Sequence, residues 1–323
     1  MSLPTVALHV LGGTITMTAG AKGIRPQLTG ADLLQQVPAL GQIAQLDVHT
    51  PVLKPGPSLT MAEIASLAKA IQAQNNVAGH VVVQGTDTID ETAFLLHLLY
   101  DGPAPLVVTG AMRGASALSA DGPANLYTAV TAAASPKLQH QGVLVALNDE
   151  IHSGIYAEKM HKGLCNAFQS PNGGPLAYVF EQSVQIIRQL PKRPALNLKP
   201  QKFGRVAIIK VSLDDRPDLL AALDNLGYEG VVIEAMGAGH TPKTWVEPLA
   251  KLAQKMPVVL SSRVLAGPIF RQTYGFEGSE ISLLDKGLIA GGWLSPPKAR
   301  LLLAAAIGCG LNKTETSRLF DQY

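Results

Sequence analysis

The sequence predicts an α/β protein with two domains, each built around a mostly parallel sheet. Its 323 residues exceed what one ordinary hydrophobic core organises, and they suit two domains of about 100–200 residues each. Apolar residues make up 47% of the chain and charged residues only 15%, a balance typical of folded globular proteins. Short apolar runs alternate with helix-like segments, and this order favours parallel β-α-β units with right-handed crossovers.

Seven short runs rich in Val, Ile and Leu are predicted to be strands. Their hydrophobicity is continuous rather than alternating, which indicates burial on both faces of a sheet. These strands cover residues 5–11, 80–83, 106–109, 142–147, 205–211, 230–234 and 257–261. Helix-like segments are predicted at residues 61–74, 91–100, 123–134, 218–226, 242–255 and 297–307.

Two of the predicted helices begin with a capping-box pattern, Thr60 with Glu63 and Thr88 with Glu91. In this pattern the two side chains satisfy backbone amides of the first helical turn. The second pattern follows a predicted strand so closely that residues 84–87 are expected to form a tight strand-to-helix turn. Such turns, at the carboxyl ends of parallel strands, are where open α/β sheets bind ligands.

A stretch rich in Pro and Lys separates the two halves of the chain. Residues 189–204 show no hydrophobic period and are predicted to be a linker. The predicted domains are therefore a larger N-terminal domain at residues 1–188 and a smaller α/β domain at residues 205–323.

Charge and composition argue against several classes of function. The formal net charge is only +2, so neither nucleic acid nor an anionic membrane is an expected partner. The two cysteines, Cys165 and Cys309, form no CxxC motif. Because metal-ligand spacings and a GxGxxG fingerprint are absent, we expect no metal and no cofactor. No secretory signal or membrane-length apolar run is recognisable, which predicts a cytoplasmic location.

Three glycine-containing turns follow predicted strands of the N-terminal domain. They are LGGTIT at 11–16, QGTDT at 84–88 and TGAMR at 109–113. Glycine lets the backbone approach a ligand closely. Thr14 and Thr86 present hydroxyls there, and a threonine becomes nucleophilic only when a base or a hydrogen-bond network takes its proton. Asp87 and Lys159 are the candidate groups for that task.

Each of these features also has an ordinary structural role. Gly-Thr turns are common helix starts, and one alone would indicate nothing more. Three glycine-containing turns at strand ends of one sheet, two of them with Gly-Thr, leave the structural and the functional interpretations evenly balanced. Asp121 precedes Pro123 at the start of a predicted helix, and we expect it to be a helix cap.

The same turns resemble the signature segments of the bacterial-type asparaginase/glutaminase family. LGGTIT is similar to the first threonine motif of that family, and VVVQGTDTIDETAF at 81–94 is similar to the second. VVTGAMR, SADGPANLYTAV, NDEIHSGIYAEK, GPLAYV, SSRV and PKARLLL follow in the order of the family, so the resemblance covers nearly the whole chain. It implies two Rossmann- or flavodoxin-like domains and the hydrolysis of L-asparagine to L-aspartate and ammonia without a cofactor.

The resemblance also implies a role for individual residues. Thr14 would attack the carboxamide and form an acyl-enzyme ester, while Thr86, Asp87 and Lys159 would handle protons. The implied substrate-binding residues are Ser58, Gly85, Ala111, His240 and Glu280. The family further implies a homodimer or homotetramer in which Glu280 of a neighbouring subunit completes each site. The alternative for Glu280 is an ordinary surface charge.

Three departures from the family pattern keep alternatives open. Residues 17–30 contain no aromatic residue where the family usually carries a tyrosine. KPGPSLT at 54–60 replaces a Ser-Gln-Asp segment, and His240 replaces an asparagine. One alternative is therefore an amide hydrolase for L-glutamine, D-asparagine or peptide-linked asparagine. A non-catalytic amino-acid-binding protein is a second, and a nicotinamide oxidoreductase is a distant third.

Overall fold

The computed structural model describes residues 2–20, 23–26, 35, 37–190 and 198–323. The chain divides into two compact units, residues 1–197 and 198–323. This division falls inside the predicted linker, but residues 191–197 lie outside the described residues, so the linker itself stays a prediction. Within the described ranges, no helix is both long and apolar enough to cross a membrane.

The first unit is built on an eight-stranded sheet. Its strands are β1 (Thr5–Val10), β4 (Gln45–His49), β5 (Gly79–Val83), β6 (Leu106–Thr109), β7 (Val143–Leu147), β8 (Glu150–Ser153), β11 (Ala177–Phe180) and β12 (Ser183–Ile186). They lie in the order β12-β11-β8-β7-β6-β5-β1-β4. The neighbouring strands β7, β6, β5, β1 and β4 pair in parallel, which confirms the predicted fold class. Beyond β7 the sheet continues with antiparallel pairs, which the sequence does not predict.

Two short hairpins lie outside the main sheet of this unit. They consist of β2 (Met17–Gly20) with β3 (Gly23–Pro26), and of β9 (Glu158–Lys159) with β10 (Phe168–Gln169). The second hairpin places Phe168 opposite Lys159. Lys159 is therefore held in a defined register, on an element between β8 and β11 of the antiparallel part of the sheet.

The helices α1 (Met61–Gln72), α2 (Ile89–Leu99) and α3 (Gly122–Ala134) belong to the first unit. The capping box of α1 is confirmed, because the Thr60 side chain accepts from the Glu63 amide and the Glu63 side chain accepts from the Thr60 amide. The capping box predicted for α2 is wrong. A 3-10 turn, Thr86–Thr88, precedes this helix, and the Thr88 side chain makes no capping bond.

The second unit contains a four-stranded parallel sheet. Its strands are β13 (Val206–Lys210), β14 (Gly230–Ala235), β15 (Val258–Ser262) and β16 (Ile289–Ala290), and they lie in that order. Its helices are α4 (Ala222–Asn225), α5 (Val246–Ala253), α6 (Glu280–Asp285), α7 (Pro296–Gly308) and α8 (Lys313–Phe320). The predicted strands and the helix at 297–307 are confirmed, whereas β16, α6 and α8 were not predicted because their apolar runs are short.

A cluster of histidines is buried in the first unit. His9 on β1 and His80 on β5 are 3% and 1% exposed, and their rings approach through His9 Nε2 and His80 Nδ1 at 3.4 Å. Burial, reinforced by the neighbouring His80 and His49, lowers the pKa of His9 to about 3. Burial also lowers the pKa of His80 to about 4. Both imidazoles are therefore neutral in the folded protein at neutral pH.

These histidines make the free energy of unfolding depend on pH. Above the ordinary histidine pKa of 6.5 both rings are neutral in the folded and unfolded states, and their contribution to stability is complete. Below pH 6.5 the unfolded chain binds a proton at each of the two histidines. In the folded chain His80 stays neutral until the pH nears 4, and His9 until the pH nears 3. We expect unfolding free energy to fall by about 1–1.5 kcal/mol per pH unit for each histidine in this window.

Urea unfolding at pH 7.5, 6 and 5 measures this effect. His80→Asn should lower the free energy of unfolding at pH 7.5. It should also make that free energy depend less steeply on pH, by the contribution of one histidine. The same substitution at His140, which is exposed, controls for the removal of one imidazole from the chain. Equal slopes in wild type and His80→Asn would contradict the assignment.

Candidate active site

Three glycines bring three turns of the first unit into contact. Gly13 has a φ of +91°, and a β-carbon there would collide with the backbone of Gly85. A β-carbon on Gly56 would lie only 3.0 Å from the Gly85 carbonyl oxygen. Each glycine is close in sequence to a predicted site residue, namely Thr14, Ser58 and Thr86. The lack of side chains at this glycine junction is what allows the three segments to meet.

Lys159, Thr86 and Asp87 form a hydrogen-bonded group next to this junction. Lys159 Nζ donates to Thr86 Oγ1 at 2.9 Å and contacts Asp87 Oδ1 at 3.1 Å. The Thr86 residue is 6% exposed and the Lys159 side chain 17%, whereas the Asp87 side chain is 60% exposed. The threonine and the lysine are thus sheltered while the carboxylate faces solvent, where a ligand can reach it. The structure brings together three residues that the sequence predicts to act together.

The backbone of Lys159 is fixed as well as its side chain. Its amide donates to Asp90 Oδ2 at 3.1 Å, and Asp90 lies in the first turn of α2, three residues after Asp87. Asp90 therefore ties the lysine hairpin to the same helix start that presents Thr86 and Asp87. The sequence reasoning missed this anchor, because the bond spans 69 residues and leaves no local pattern.

A further turn, TGAMR at residues 109–113, is shaped by Asp121. Asp121 lies at the N-cap position of α3, as predicted, but its side chain makes no capping bond to that helix. Its carboxylate instead accepts from the amides of Met112 at 2.9 Å and Arg113 at 2.8 Å. Asn125 adds a bond from Nδ2 to the Gly110 carbonyl at 2.9 Å. These bonds hold the turn around Ala111, which is fully buried.

Ser58 lies at the end of the 3-10 turn Gly56–Ser58 and is exposed. Its amide donates to the Pro55 carbonyl at 3.0 Å, and its exposed side chain carries the hydroxyl on the surface of the turn. Ser58 can thus offer a hydrogen bond to a ligand at the glycine junction.

His240 and Glu280 meet in the second unit. Glu280 is fully buried and accepts from the amides of Thr273 at 3.0 Å and Tyr274 at 2.8 Å, while His240 Nε2 lies 3.2 Å from its other oxygen. Burial alone would raise the pKa of Glu280, but these hydrogen bonds outweigh it and hold the pKa below its ordinary value. The surface-charge alternative for Glu280 is therefore wrong. His240 packs edge-on against the Tyr274 and Phe276 rings.

A second buried polar group was missed by the sequence reasoning. His152 Nδ1 lies 3.0 Å from Ser170 Oγ, and His152 Nε2 lies 3.1 Å from Glu150 Oε2. The types match a hydrolytic Ser-His-Glu set, but Ser170 is only 7% exposed and has little access to a ligand. Burial lowers the pKa of His152, opposed by Glu150. The group ties the end of β10 to β8 and so supports the hairpin of Lys159.

Both halves of the chain match models of one protein family, and the whole chain is similar to several curated proteins. Residues 5–192 match the family model "Asparaginase, N-terminal", and residues 205–320 match "Glutaminase/Asparaginase C-terminal domain". The chain is 34% identical to the probable periplasmic L-asparaginase of Haemophilus influenzae, over 99% of this chain and 92% of that protein. It is 31% identical to L-asparaginase 2 of Escherichia coli, over 100% of this chain and 94% of that protein.

A solved structure is also similar. The crystal structure of a probable cytoplasmic L-asparaginase from Campylobacter jejuni superposes with a TM-score of 0.89 at 30% sequence identity. The match covers 99% of this chain and 100% of that one. The two-domain α/β architecture is therefore shared along the full length.

Proposed function

Because the chain belongs to the asparaginase family, we propose that it hydrolyses L-asparagine to L-aspartate and ammonia through a threonine-bound intermediate. The observation that carries this proposal is the contact of Lys159 with Thr86 and Asp87 beside the glycine junction. A hydroxyl, an amino group and an exposed carboxylate can together move the proton of an attacking hydroxyl and bind the ammonium end of a zwitterionic amide.

In the first half of the reaction, the Thr14 oxygen attacks the carboxamide carbon. The hydroxyl proton passes to the proton-handling group, and the tetrahedral intermediate collapses by breaking the carbon–nitrogen bond. The departing nitrogen takes up a proton and leaves as ammonia. In the second half, water attacks the ester, returns a proton to Thr14 and releases L-aspartate.

Lys159, Thr86 and Asp87 handle these protons. Lys159 Nζ bonds to both Thr86 and Asp87 and is largely sheltered from solvent, so it is placed to relay a proton between the threonine hydroxyl and the carboxylate. Backbone amides of the turn at Gly85 are suited to stabilise the negative oxygen of the intermediate. Support for both roles comes from the burial of Thr86 and from the two bonds of Lys159.

The zwitterionic end of the substrate needs partners of both charges. Asp87 is exposed enough to bind the α-ammonium, and Ser58 offers a hydroxyl to the α-carboxylate. We assign Gly85 and Ala111 to the walls of the same site. We propose that Glu280 completes the ammonium site of a neighbouring copy in a homodimer or homotetramer through the partly exposed His240 beside it, because the carboxylate itself is fully buried in the single chain. Its lowered pKa supports this, because an ionised carboxylate is required.

A second candidate is hydrolysis of a different amide. It is favoured by the segment 54–60, where Lys54 and Thr60 are engaged by Glu63 and Ser58 is the remaining polar side chain suited to an α-carboxylate. A substrate whose α-carboxylate is absent or peptide-linked needs fewer binding groups from that segment.

We also propose a cytoplasmic location. The similar Campylobacter jejuni protein is named cytoplasmic, whereas the Haemophilus influenzae relative is named periplasmic.

Ammonia release from a panel of L-asparagine, D-asparagine, L-glutamine and asparaginyl dipeptides tests the proposal. We expect the largest kcat/KM for L-asparagine. A larger value for another member of the panel would establish the second candidate. Saturable binding of L-asparagine without any ammonia release would instead show a non-catalytic amino-acid-binding protein.

A further inference from the structure

The hydroxyl of Thr88 joins two of the active-site turns through a chain of hydrogen bonds. Gln84, which is fully buried, donates from Nε2 to Thr88 Oγ1 at 3.1 Å and to the Gly85 carbonyl at 3.2 Å. Thr88 Oγ1 donates in turn to the Gly56 carbonyl at 3.3 Å. The Thr88 hydroxyl, which the sequence pattern assigns to a helix cap, thus links two turns that lie 32 residues apart in the sequence.

The acceptor of this chain belongs to the turn that carries Ser58. The Gly56 carbonyl also accepts from the Leu59 amide at 3.1 Å, and this bond closes the turn around Ser58. Gly56 packs directly on Gly85, so the turn rests on the strand end that leads into Thr86. A bond to the Gly56 carbonyl from Thr88 therefore fixes the angle at which the whole turn sits.

The size of this interaction favours positioning over bulk stability. A single neutral hydrogen bond contributes about 0.5–1.5 kcal/mol, a small share of the stability of a chain of this length. The same energy is enough to change the population of one turn conformation about three- to tenfold. Thr88 is only half-buried, so water can replace its bond without unfolding the helix.

We infer that Thr88, oriented by Gln84, is a positioning residue that sets Ser58 against the turn of Thr86 and Asp87. It acts through the backbone of Gly56 and does not itself touch the substrate. The inference rests on the proposed function for its kinetic consequence, because Ser58 is assigned there to the α-carboxylate. Its structural consequence, a fixed turn at residues 56–59, is independent of that assignment.

Thr88→Val and Thr88→Ser form the matched test. Valine keeps the shape and removes the hydroxyl, whereas serine keeps the hydroxyl. We expect Thr88→Val to raise KM for L-asparagine about three- to tenfold and to change kcat less than about twofold. Thr88→Ser should stay within about twofold of wild type in both. In a Ser58→Ala background, Thr88→Val should add no further increase in KM, because the group it positions is gone.

Hydrogen exchange distinguishes a loosened turn from a general loss of helix stability. Exchange at the amides of Ser58 and Leu59 should accelerate in Thr88→Val and not in Thr88→Ser, while the amides of β5 stay unchanged. Thr92→Val, one helical turn further along α2, controls for a valine in this helix. A wild type without asparaginase activity would refute the proposed function, and hydrogen exchange would still test the inference. Unchanged exchange at both amides in Thr88→Val, or independent effects on KM in the double variant, would overturn it.

Discussion

Replacing Thr14 with alanine should leave a folded protein whose turnover of L-asparagine is at least about a thousandfold lower. The physical reason is that the covalent route needs an oxygen nucleophile, and neither alanine nor the adjacent glycines can supply one. Steady-state ammonia release measures the loss. KM should change much less than kcat, because the groups assigned to the substrate zwitterion remain in place.

Two controls make this result specific. Thr14→Ser keeps a hydroxyl at the same position and should retain more turnover than Thr14→Ala. Circular dichroism and urea unfolding should show that both variants fold as wild type does. Turnover within about tenfold of wild type in a folded Thr14→Ala protein would refute Thr14 as the nucleophile.

Removal of the Lys159–Thr86 contact should cost nearly as much, and the two losses should not multiply. We expect Lys159→Met and Thr86→Val each to lower kcat by about a hundredfold or more. Because the two side chains share one hydrogen bond of 2.9 Å, removing either disables the same proton-handling unit. The double variant should therefore be little worse than the poorer single variant.

A double-mutant cycle on kcat measures this coupling. Lys162→Met provides the matched control, since Lys162 is an exposed lysine three residues along the same segment. That variant should behave as wild type. If the losses of Lys159→Met and Thr86→Val multiply, the two residues act independently and the shared proton-handling role is refuted.

The parts of the fold that could be predicted are those whose burial leaves a mark on the local sequence. Strands β1, β5, β6 and β7 are buried on both faces, so each appears as an unbroken apolar run. Strand β4 was missed because it is an edge strand whose QLDVH sequence is partly exposed. The antiparallel strands β8, β11 and β12 were missed for the same reason, since their residues alternate between buried and exposed or include polar groups.

In the candidate site, too, the features that depend on local sequence could be predicted and those that depend on distant contacts could not. The glycine turns could be read from sequence, because a tight turn requires particular residues locally. Lys159 could be named as a candidate from the sequence, but its grouping with Thr86 and Asp87 came only from the family resemblance, since its contacts with them span more than 70 residues. Thr88 and Asp121 each matched a local capping pattern, yet distant partners in the folded chain use their side chains instead. Local pattern predicts local bonds, and it fails where a side chain reaches another loop.

The glycine junction also limits how this protein can adapt to new substrates. At positions 13, 56 and 85, a β-carbon would meet the backbone of a neighbouring turn, so codon changes there are expected to be purged whatever amide is hydrolysed. Ser58, by contrast, is exposed and two residues from the junction. Random mutagenesis with selection for altered substrate preference should therefore yield survivors that keep all three glycines and diversify at position 58 and its exposed neighbours.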